Sequence, residues 1–551
     1  MNNSWLELNP IDVDIRWSRL ISIVDESATT LILSSFSTLI REARDYTCVF
    51  MDAAGESIAQ PTSSAPPFVG TMSQTVRAFL QEIPLADWHD GDVVITNDPW
   101  LGTGHLNDFS IALPIFRDGT LVGFAGIVAH MVDVGGKIWS AAANDVYEEG
   151  LQIPITRIVE RHQDVPLVFQ FIRSNVRMSD IVIGDVRAMI AAGHLIVERI
   201  REMVDEIGLP AFRQTLQIIL SRSRAALENA IAQIPEGVYQ DSLRMDGREA
   251  PLTINVAITV KDKRITLDYS GSAEQVPYGI NCPMCYVYAF SSYPLKALLT
   301  PDVPNNDATR HVITVYAPEG SILNPRHPAP VGGRNLTGHV LYSVIFGALK
   351  EVLSKQVLAD SGAPRPTIIL GGTGTDGRPF RNMFFLMGGL GGKQGKDGQP
   401  CLSFPTNVAA TPVEVLEQTT PILIEKKELV ADTGGAGEFR GGSSQEVTIR
   451  NVSGHPMQLS ILAERTKFLP RGLFGGKQGG QPLFLHETGE QLDPRGVNWI
   501  PENGAVRIRT HGGGGYGDPK LRAPSSVEKD LREGYVTLSA AQSLYGFKQD
   551  K

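Results

Sequence analysis

Apolar residues at the start of the chain have helical spacing, and those that follow have strand spacing. Over 12–44 the apolar positions recur with the period near 3.6 that predicts an amphipathic helix. Two shorter runs at 46–52 and 57–60 predict a strand pair, because the Ala54-Gly55 turn signal lies between them. Helical spacing returns over 73–83. The first part of the chain is therefore predicted to mix helices and strands.

The next pattern is a hairpin. The runs F-S-I-A-L-P-I-F (109–116) and L-V-G-F-A-G-I-V-A (121–129) flank the turn signal R-D-G-T. Two apolar runs joined by a turn that contains glycine predict antiparallel strands. A loop rich in glycine, T-N-D-P-W-L-G-T-G-H-L-N-D-F (96–109), leads into the first of them.

The loop length of this hairpin decides which side chains share a face. A three-residue loop would pair Arg117 with Leu121 and place Asp108 opposite His130. A two-residue loop would pair Asn107 with His130 and turn Asp108 to the other face. We expect the first register.

After the hairpin the pattern becomes helical over 164–234 and then β-rich from 238 to 510. Two helices are predicted within the β-rich part, near 286–299 and 337–357, and a helical tail over 525–545. The predicted fold class is α+β and multidomain, with a mixed N-terminal region and a β-rich, glycine-rich C-terminal half. We predict the divisions 1–163 (mixed, with the hairpin), 164–235 (helical), 236–520 (β-rich with two helices) and 521–551 (helical tail).

Composition narrows the class of protein. The 551 residues are 42% hydrophobic and 20% charged, as in ordinary globular proteins. The net charge of −10 argues against non-specific nucleic-acid binding. The first residues have neither a basic segment nor an apolar one, and no window is long and apolar enough to span a membrane. We expect a cytoplasmic protein that binds neither nucleic acid nor membrane.

The residues at the open end of the hairpin suggest a metal site. In the expected register, His105, Asp108 and His130 converge as two imidazoles and a carboxylate. Such a set could hold one divalent ion, and zinc, manganese and iron all fit it. Asp133 is a further candidate, as a ligand or as an acceptor that orients an imidazole.

Two other features have ordinary structural interpretations. Cys282 and Cys285 form a lone C-P-M-C without a second pair, so a structural role is favoured over zinc or redox chemistry. Glycine-rich runs recur late in the chain, but none has the spacing of a phosphate-binding loop. We interpret them as turns and close backbone contacts. The runs are 371–377, 388–395, 432–442, 472–480 and 511–519.

Over about residues 10–546 the chain resembles the B subunit of the hydantoinase/5-oxoprolinase family, which includes caprolactamase and the α subunits of acetone and acetophenone carboxylases. Many long motifs in one order carry the resemblance. They are R-E-A-R-D-Y-T-C-V-F-M-D (41–52), N-D-P-W-L-G-T-G-H-L-N-D (97–108), A-H-M-V-D-V-G-G (129–136), Y-E-E-G-L-Q-I-P (147–154), P-N-N-D-A (304–308), A-P-E-G-S-I-L-N-P (317–325), T-P-V-E-V-L-E (411–417), D-T-G-G-A-G-E-F-R-G-G (432–442) and G-G-G-G-Y-G-D-P (512–519).

The resemblance implies the same metal ligands, His105, Asp108 and His130, and adds Asp45 to the site. It further implies that ATP is bound by a separate A-type subunit with an actin-like fold. In one position the chain departs from the family. Residues 102–104 read Gly-Thr-Gly where members commonly show Gly-Gly-Thr, although the H-x-x-D spacing is kept.

The function implied by the resemblance is ATP-dependent opening of a cyclic amide: a hydantoin, a lactam or 5-oxoproline. Phosphorylation in the partner would activate the amide, and the metal would polarise the activated carbon. Asp45 would complete the metal shell or act as a general base. Arg334 and His339 are candidates for contacting an anionic group, although an ordinary position at the start of a helix explains them equally well.

Two other functions remain open. The chain could be the equivalent subunit of an ATP-dependent ketone carboxylase, or a scaffold without catalytic residues that stabilises the ATPase. The intact His-Asp-His set argues against the scaffold, and the length of the chain favours ring hydrolysis over carboxylation. We expect a dimer of heterodimers with the A-type partner.

Overall fold

The computed structural model describes residues 9–548 except 64, 66, 67, 69 and 403. The chain is mixed α+β and multidomain with several separate sheets, as predicted. Its α-helices are α1 (Pro10–Ser34), α2 (Thr38–Arg41), α3 (Thr71–Glu82), α4 (Pro166–Asn175), α5 (Ser179–Ile207), α6 (Leu209–Ile231), α7 (Met284–Leu299), α8 (Asn335–Gly338), α9 (Leu341–Leu349), α10 (Val413–Thr419), α11 (Pro524–Arg532) and α12 (Leu538–Tyr545).

The strands form a seven-stranded N-terminal sheet and three four-stranded sheets. The N-terminal sheet contains β1 (Tyr46–Asp52), β2 (Ser57–Ala59), β3 (Val93–Thr96), β4 (Asp108–Arg117), β5 (Thr120–His130), β6 (Thr156–Glu160) and β7 (Gln163–Asp164). The second sheet contains β8 (Gly237–Met245), β9 (Leu252–Lys261), β10 (Arg264–Asp268) and β11 (Ile313–Tyr316). The last two sheets are built from β12 (Thr367–Thr373), β13 (Pro379–Phe385), β14 (Ile422–Val430), β15 (Ser444–Asn451), β16 (Met457–Leu462), β17 (Leu483–His486), β18 (Val497–Ile500) and β19 (Ala505–Arg509).

The predicted helices are present, but three of the predicted stretches are interrupted or shorter. The stretch 12–44 divides into α1 and α2, because Ser35 has extended backbone angles that end the first helix. The tail divides into α11 and α12 around Gly534, whose φ is +76°. The predicted helix over 337–357 ends earlier, since α9 stops at Leu349 and turns follow.

The N-terminal sheet has the order β2-β1-β5-β4-β3-β6-β7. Its central strands β4 and β5 are buried on both faces, which explains why they read as continuous apolar runs. Residues of α1, α5 and α6 pack on one face, and residues of α3 pack on the other. The helices of 164–234 therefore share a hydrophobic core with this sheet. The sandwiched strands give the side chains at their ends a rigid base.

The second core joins the β8–β11 sheet to α7 and α9. The same core reaches Leu39 and Ala43 near the start of the chain and Tyr516 near its end. The last two sheets pack face to face around a third core, which includes Ile368, Val447 and Ile508. Among the described residues, no helix combines the length and apolar character that crossing a bilayer takes.

Four of the five glycine-rich runs pack against one another without side chains between them. We call residues 388–392, 434–442, 472–480 and 512–517 the glycine core. A Cβ at Gly513 would lie 2.1 Å from the carbonyl oxygen of Leu390, and one at Gly389 would lie 1.9 Å from that of Gly442. The runs also hydrogen-bond to each other, as from Gly513 N to Gly442 O at 2.9 Å. Close backbone contact therefore accounts for these runs. The fifth, 371–377, is the end of β12 and a turn.

Candidate functional site

Strand register brings three of the predicted site residues to one edge of the N-terminal sheet. Asp108 pairs directly with His130 across β4 and β5. Tyr46 pairs with Ala129 across β1 and β5, and the backbone N–H of His130 donates to the Asp45 carbonyl at 3.1 Å. Because side chains alternate along a strand, Asp45, His130 and Asp108 point to the same face of three adjacent strands.

The predicted pairing of Asp108 with His130 is confirmed, but the three-residue loop is wrong. Arg117 pairs with Thr120, so the turn has two residues, Asp118 and Gly119, both with positive φ. The register shifts by one residue between the Ile115 and Phe116 pairs. This β-bulge adds a residue to β5 and restores the pairing that a two-residue turn alone would lose.

His105 reaches the cluster from the loop between β3 and β4. Gly104 precedes it with a φ of +94°, a conformation that favours glycine. A Cβ at Gly104 would also lie 2.5 Å from Cδ of Arg334. The Gly-Thr-Gly order of 102–104, which departs from the family pattern, thus places a glycine where both the backbone and Arg334 require one. Nε2 of His105 lies 2.9 Å from Oδ1 of Asp108.

The three predicted ligands form a compact buried group. His105, Asp108 and His130 each offer a ligand atom within 4.8 Å of the others. Nδ1 of His130 lies 2.9 Å from the same Oδ1 of Asp108, and 3.9 Å from Oδ2 of Asp45. Nε2 of His105 and Oδ1 of Asp108 are buried, and although they lie 2.9 Å apart they do not meet in hydrogen-bond geometry. Buried ligand atoms of this mixed type fit a divalent ion, whereas Asp45 lies outside the group whose atoms are within 4.8 Å of one another.

The second oxygen of Asp108 is held by two other groups. The Thr103 hydroxyl donates to Oδ2 at 2.5 Å, and Nη2 of Arg334 donates to it at 2.7 Å. Arg334 also donates from Nε to the Thr103 carbonyl and stacks on Tyr286, 4.0 Å from the ring centre. These contacts fix the carboxylate so that Oδ1 stays directed at the two imidazoles. Arg334 is therefore engaged with a ligand side chain and is not a free anion-binding group.

Charges in the site favour the protonation states that a metal requires. Burial, followed by the nearby Arg334 guanidinium, lowers the pKa of His105 to about 3, so its imidazole is neutral. Burial acts to raise the pKa of Asp108, but His105 and Arg334 outweigh it and hold this pKa well below the usual range. Burial raises the pKa of Asp45, although His130 opposes the shift. A neutral imidazole and an ionised carboxylate are the forms that bind metal.

The other sequence candidates lie outside the ligand cluster. Asp133 binds the backbone N–H of Arg177 and accepts from Nη1 of Arg381 at 2.7 Å, so it anchors a loop. Cys282 and Cys285 are buried free thiols. The Cys285 thiol donates to the Pro99 carbonyl, and burial raises its pKa to about 12. Both cysteines thus fit the structural role that the sequence favoured.

A small cavity of about 30 Å³ adjoins the cluster. This volume holds two or three atoms the size of a water oxygen, so a ring substrate requires the walls to move. His339 lies in the wall, where its Nε2 is 2.9 Å from the Tyr286 hydroxyl. Several residues of the wall were not found from the sequence, because they come from segments far apart in the chain and no motif marks them. They include Trp139, Tyr286, Asn335, Arg365 and Phe385.

A chain of contacts supports His105 from behind. Nδ1 of His105 lies 3.4 Å from the Gly332 carbonyl, which also accepts from Nε1 of Trp139 at 2.6 Å. The backbone N–H groups of Val331 and Gly332 donate to Oε1 of Glu149 at 2.7 and 2.6 Å. Glu149 thereby fixes the peptide that orients His105 and Trp139. Burial raises the pKa of Glu149 to about 8.

The family model described as hydantoinase B/oxoprolinase matches residues 9–519. A curated relative from a Pseudomonas species, the putative B subunit of a D-/L-hydantoinase, is 27% identical over 568 residues, which covers 98% of this chain and 95% of the relative.

Two solved structures share the fold. The ATP-dependent caprolactamase from Pseudomonas jessenii superposes with a TM-score of 0.90 at 23% identity, covering 99% of this chain and 97% of that chain. Nucleotide-free acetone carboxylase superposes with a TM-score of 0.86 at 20% identity, covering 98% and 80%. At these identities the likeness concerns the fold.

Proposed function

Because this chain belongs to the hydantoinase B/oxoprolinase family, we propose that it is the metal-binding subunit of an ATP-dependent cyclic-amide hydrolase. Its substrate is a hydantoin, a lactam or 5-oxoproline, and ATP is bound by a separate A-type subunit. The observation that carries this proposal is the buried group of His105, Asp108 and His130 beside a small cavity. Burying polar side chains without full hydrogen bonding costs stability. A subunit that only supported the ATPase would gain nothing from such a group.

The chemistry divides between the two subunits. An amide is a poor electrophile, and phosphorylation of its oxygen by the partner would make its carbon more electrophilic. Addition of water and cleavage of the ring C–N bond, with a proton passing to the nitrogen, would then open the ring, and a second water would release the phosphoryl group as inorganic phosphate to leave a carboxylate. A divalent ion held by His105, Asp108 and His130 would supply Lewis-acid polarisation of the activated carbon. Asp45 lies 3.9 Å from Nδ1 of His130, where it can accept a proton from the attacking water.

Reconstitution tests this function. We expect the chain and its A-type partner to form a stable dimer of heterodimers with an interface on the order of 2,000 Å² or more. Neither subunit alone should open a cyclic amide, and the mixture should do so with ATP. His105→Ala should abolish turnover and leave the complex assembled. Ring opening by this chain alone without ATP would contradict the proposal. A panel that includes ketones with bicarbonate tests the carboxylase alternative in the same experiment.

Nucleotide binding gives a second test. In the glycine core the backbone N–H groups donate to carbonyls of neighbouring runs, as from Gly435 N to Gly513 O at 2.8 Å and from Gly515 N to Lys477 O at 2.9 Å. These groups are therefore not free to hold phosphates. Titration of ATP into the isolated chain, followed by calorimetry, should give no tight binding. Micromolar affinity would show that one of these runs is a phosphate site.

A further inference from the structure

Arg365 differs from the other buried arginines of the described chain. Each of the others has a carboxylate within hydrogen-bond distance: Arg334 with Asp108 at 2.7 Å, Arg440 with Asp530 at 3.2 Å, Arg465 with Asp360 at 2.5 Å, and Arg522 with Asp397 at 2.7 Å. Arg365 is 7% exposed, yet no described carboxylate lies within 4.0 Å of its nitrogens. Its Nε and Nη1 are buried and have no hydrogen-bond partner among the described residues.

The Asp45 carboxylate is an opposite charge that acts on Arg365 through space, but it forms no ion pair with it within 4.0 Å. Its guanidinium stacks on Phe385, 3.9 Å from the ring centre, which satisfies no N–H group. Asp45 and Asp108 lie in the wall of the same cavity, but neither pairs with it. Burial lowers the pKa of Arg365 only to about 10, so the group stays charged at neutral pH. A buried charge without a partner is costly, and natural proteins keep one mainly where a ligand completes it.

Two further unpartnered atoms belong to the same cavity wall. Oδ1 of Asn335 is a buried acceptor and Nδ1 of His339 is a second buried ring nitrogen, and neither has a hydrogen-bond partner among the described residues. In the tautomer in which Nε2 of His339 accepts from the Tyr286 hydroxyl, Nδ1 carries a proton and is another donor. The wall then offers donors for an anionic oxygen and an acceptor for an N–H.

We propose that Arg365 binds an oxyanion of the ligand, and that the ligand is a cyclic amide presenting a carboxylate or a phosphoryl group to this guanidinium. The cyclic-amide part rests on the proposed function, whereas the oxyanion part rests on Arg365 alone. Arg334 was the sequence candidate for this role, but its guanidinium is occupied by Asp108. The fork of Arg365 matches two oxygens of either group. The cavity of about 30 Å³ favours the smaller carboxylate.

Anion binding to the purified chain tests the oxyanion part without any turnover. Acetate and inorganic phosphate are titrated into wild type, Arg365→Met and Arg365→Lys at constant ionic strength, and the dissociation constants are measured by calorimetry. Wild type should bind at least one of the two anions, and Arg365→Met should weaken that binding by about tenfold or more. Arg365→Lys keeps the charge and should restore part of it. Preference for acetate identifies a carboxylate on the substrate, and preference for phosphate identifies the phosphoryl group.

Thermal unfolding separates this role from a structural one. Removal of an unpaired buried charge should leave the Tm of Arg365→Met equal to that of wild type or higher. In the matched control Arg465→Met, loss of the pair with Asp360 should lower the Tm by several degrees. The proposal is overturned if Arg365→Met loses as much as this control, if its anion affinity equals that of wild type, or if wild type binds neither anion. Absence of ATP-dependent ring opening in the reconstituted complex would overturn the proposed function and leave these results standing.

Discussion

In the candidate metal site three strands and a loop hold side chains together, whereas in the glycine core the missing side chains let four segments of backbone meet. The first arrangement depends on side-chain identity at three positions, Asp45, Asp108 and His130. Strand register brings these three side chains to the same face of the sheet. The second depends on volume alone, since a Cβ at Gly389 or Gly513 would overlap a carbonyl oxygen.

The comparison shows how sequence variation should act in each region. In the candidate metal site, replacing a ligand side chain with a small one removes a polar atom and leaves the packed strands β4 and β5 in place. In the glycine core a small substituent adds atoms where none fit, and the runs that hydrogen-bond to each other must separate. The first region should therefore lose function before stability, and the second should lose stability first.

The largest effect is expected for metal content. His130→Ala removes one imidazole from the cluster, and we expect bound divalent metal to fall from about one ion per chain to nearly none. Because β5 stays packed on both faces, the variant should fold and its Tm should change little. Elemental analysis and thermal unfolding measure the two effects. His455→Ala, at an exposed histidine, is the control and should keep its metal. Equal metal content in wild type and His130→Ala would remove the assigned site.

The next effect is expected for stability. Gly513→Ala places a Cβ 2.1 Å from the Leu390 carbonyl oxygen, and we expect the free energy of unfolding to fall by about 3 kcal/mol or more. Its control is Gly237→Ala in β8, where the nearest atom would lie at 3.9 Å and the change should stay within about 1 kcal/mol. Denaturant unfolding measures both. Similar losses in the two variants would show that conformational entropy, rather than space, explains the glycine.

The sequence predicts the parts of the site that depend on short-range rules. Alternation and pairing place Asp108 opposite His130, and the apolar runs identify β4 and β5. The bulge in β5 was not predicted, although Gly123 lies beside it and a glycine within a strand often marks a bulge. The predicted pairing of Asp108 with His130 is correct, but it does not arise from a three-residue loop. A two-residue turn followed by a one-residue bulge gives the same strand register.

The sequence does not predict the contacts that close the cavity. Arg365 and Phe385 come from segments more than 200 residues beyond His130, and their positions depend on how the sheets pack. The glycine runs are conspicuous in the sequence, but which run meets which depends on the same packing. Local patterns determine strands and helices, whereas these contacts form only when remote segments have come together.

The smallest effect concerns Glu149, whose carboxylate holds backbone groups of Val331 and Gly332 behind His105. Its pKa rises from 4.5 to about 8 through burial, which outweighs these hydrogen bonds. Between those two pH values the folded state keeps a proton that the unfolded state has lost, so the free energy of unfolding should decrease as the pH rises.

Glu149→Gln tests this dependence, because the amide oxygen can still accept from both N–H groups but does not ionise. Relative to wild type, the variant should differ little near pH 4.5 and gain stability steadily toward pH 8. Glu148→Gln, the same substitution at the adjacent residue, is the control variant. Hydrogen bonding to Lys137 lowers the pKa of Glu148, so this variant should instead lose stability relative to wild type once the pH is above that pKa. Denaturant unfolding from about pH 3 to pH 8 measures both, because the response of Glu148 falls below pH 4.5 and that of Glu149 above it. If the two variants respond to pH in the same direction, burial does not control the protonation of Glu149, and the carboxylate serves the Gly332 peptide as an ordinary ionised acceptor.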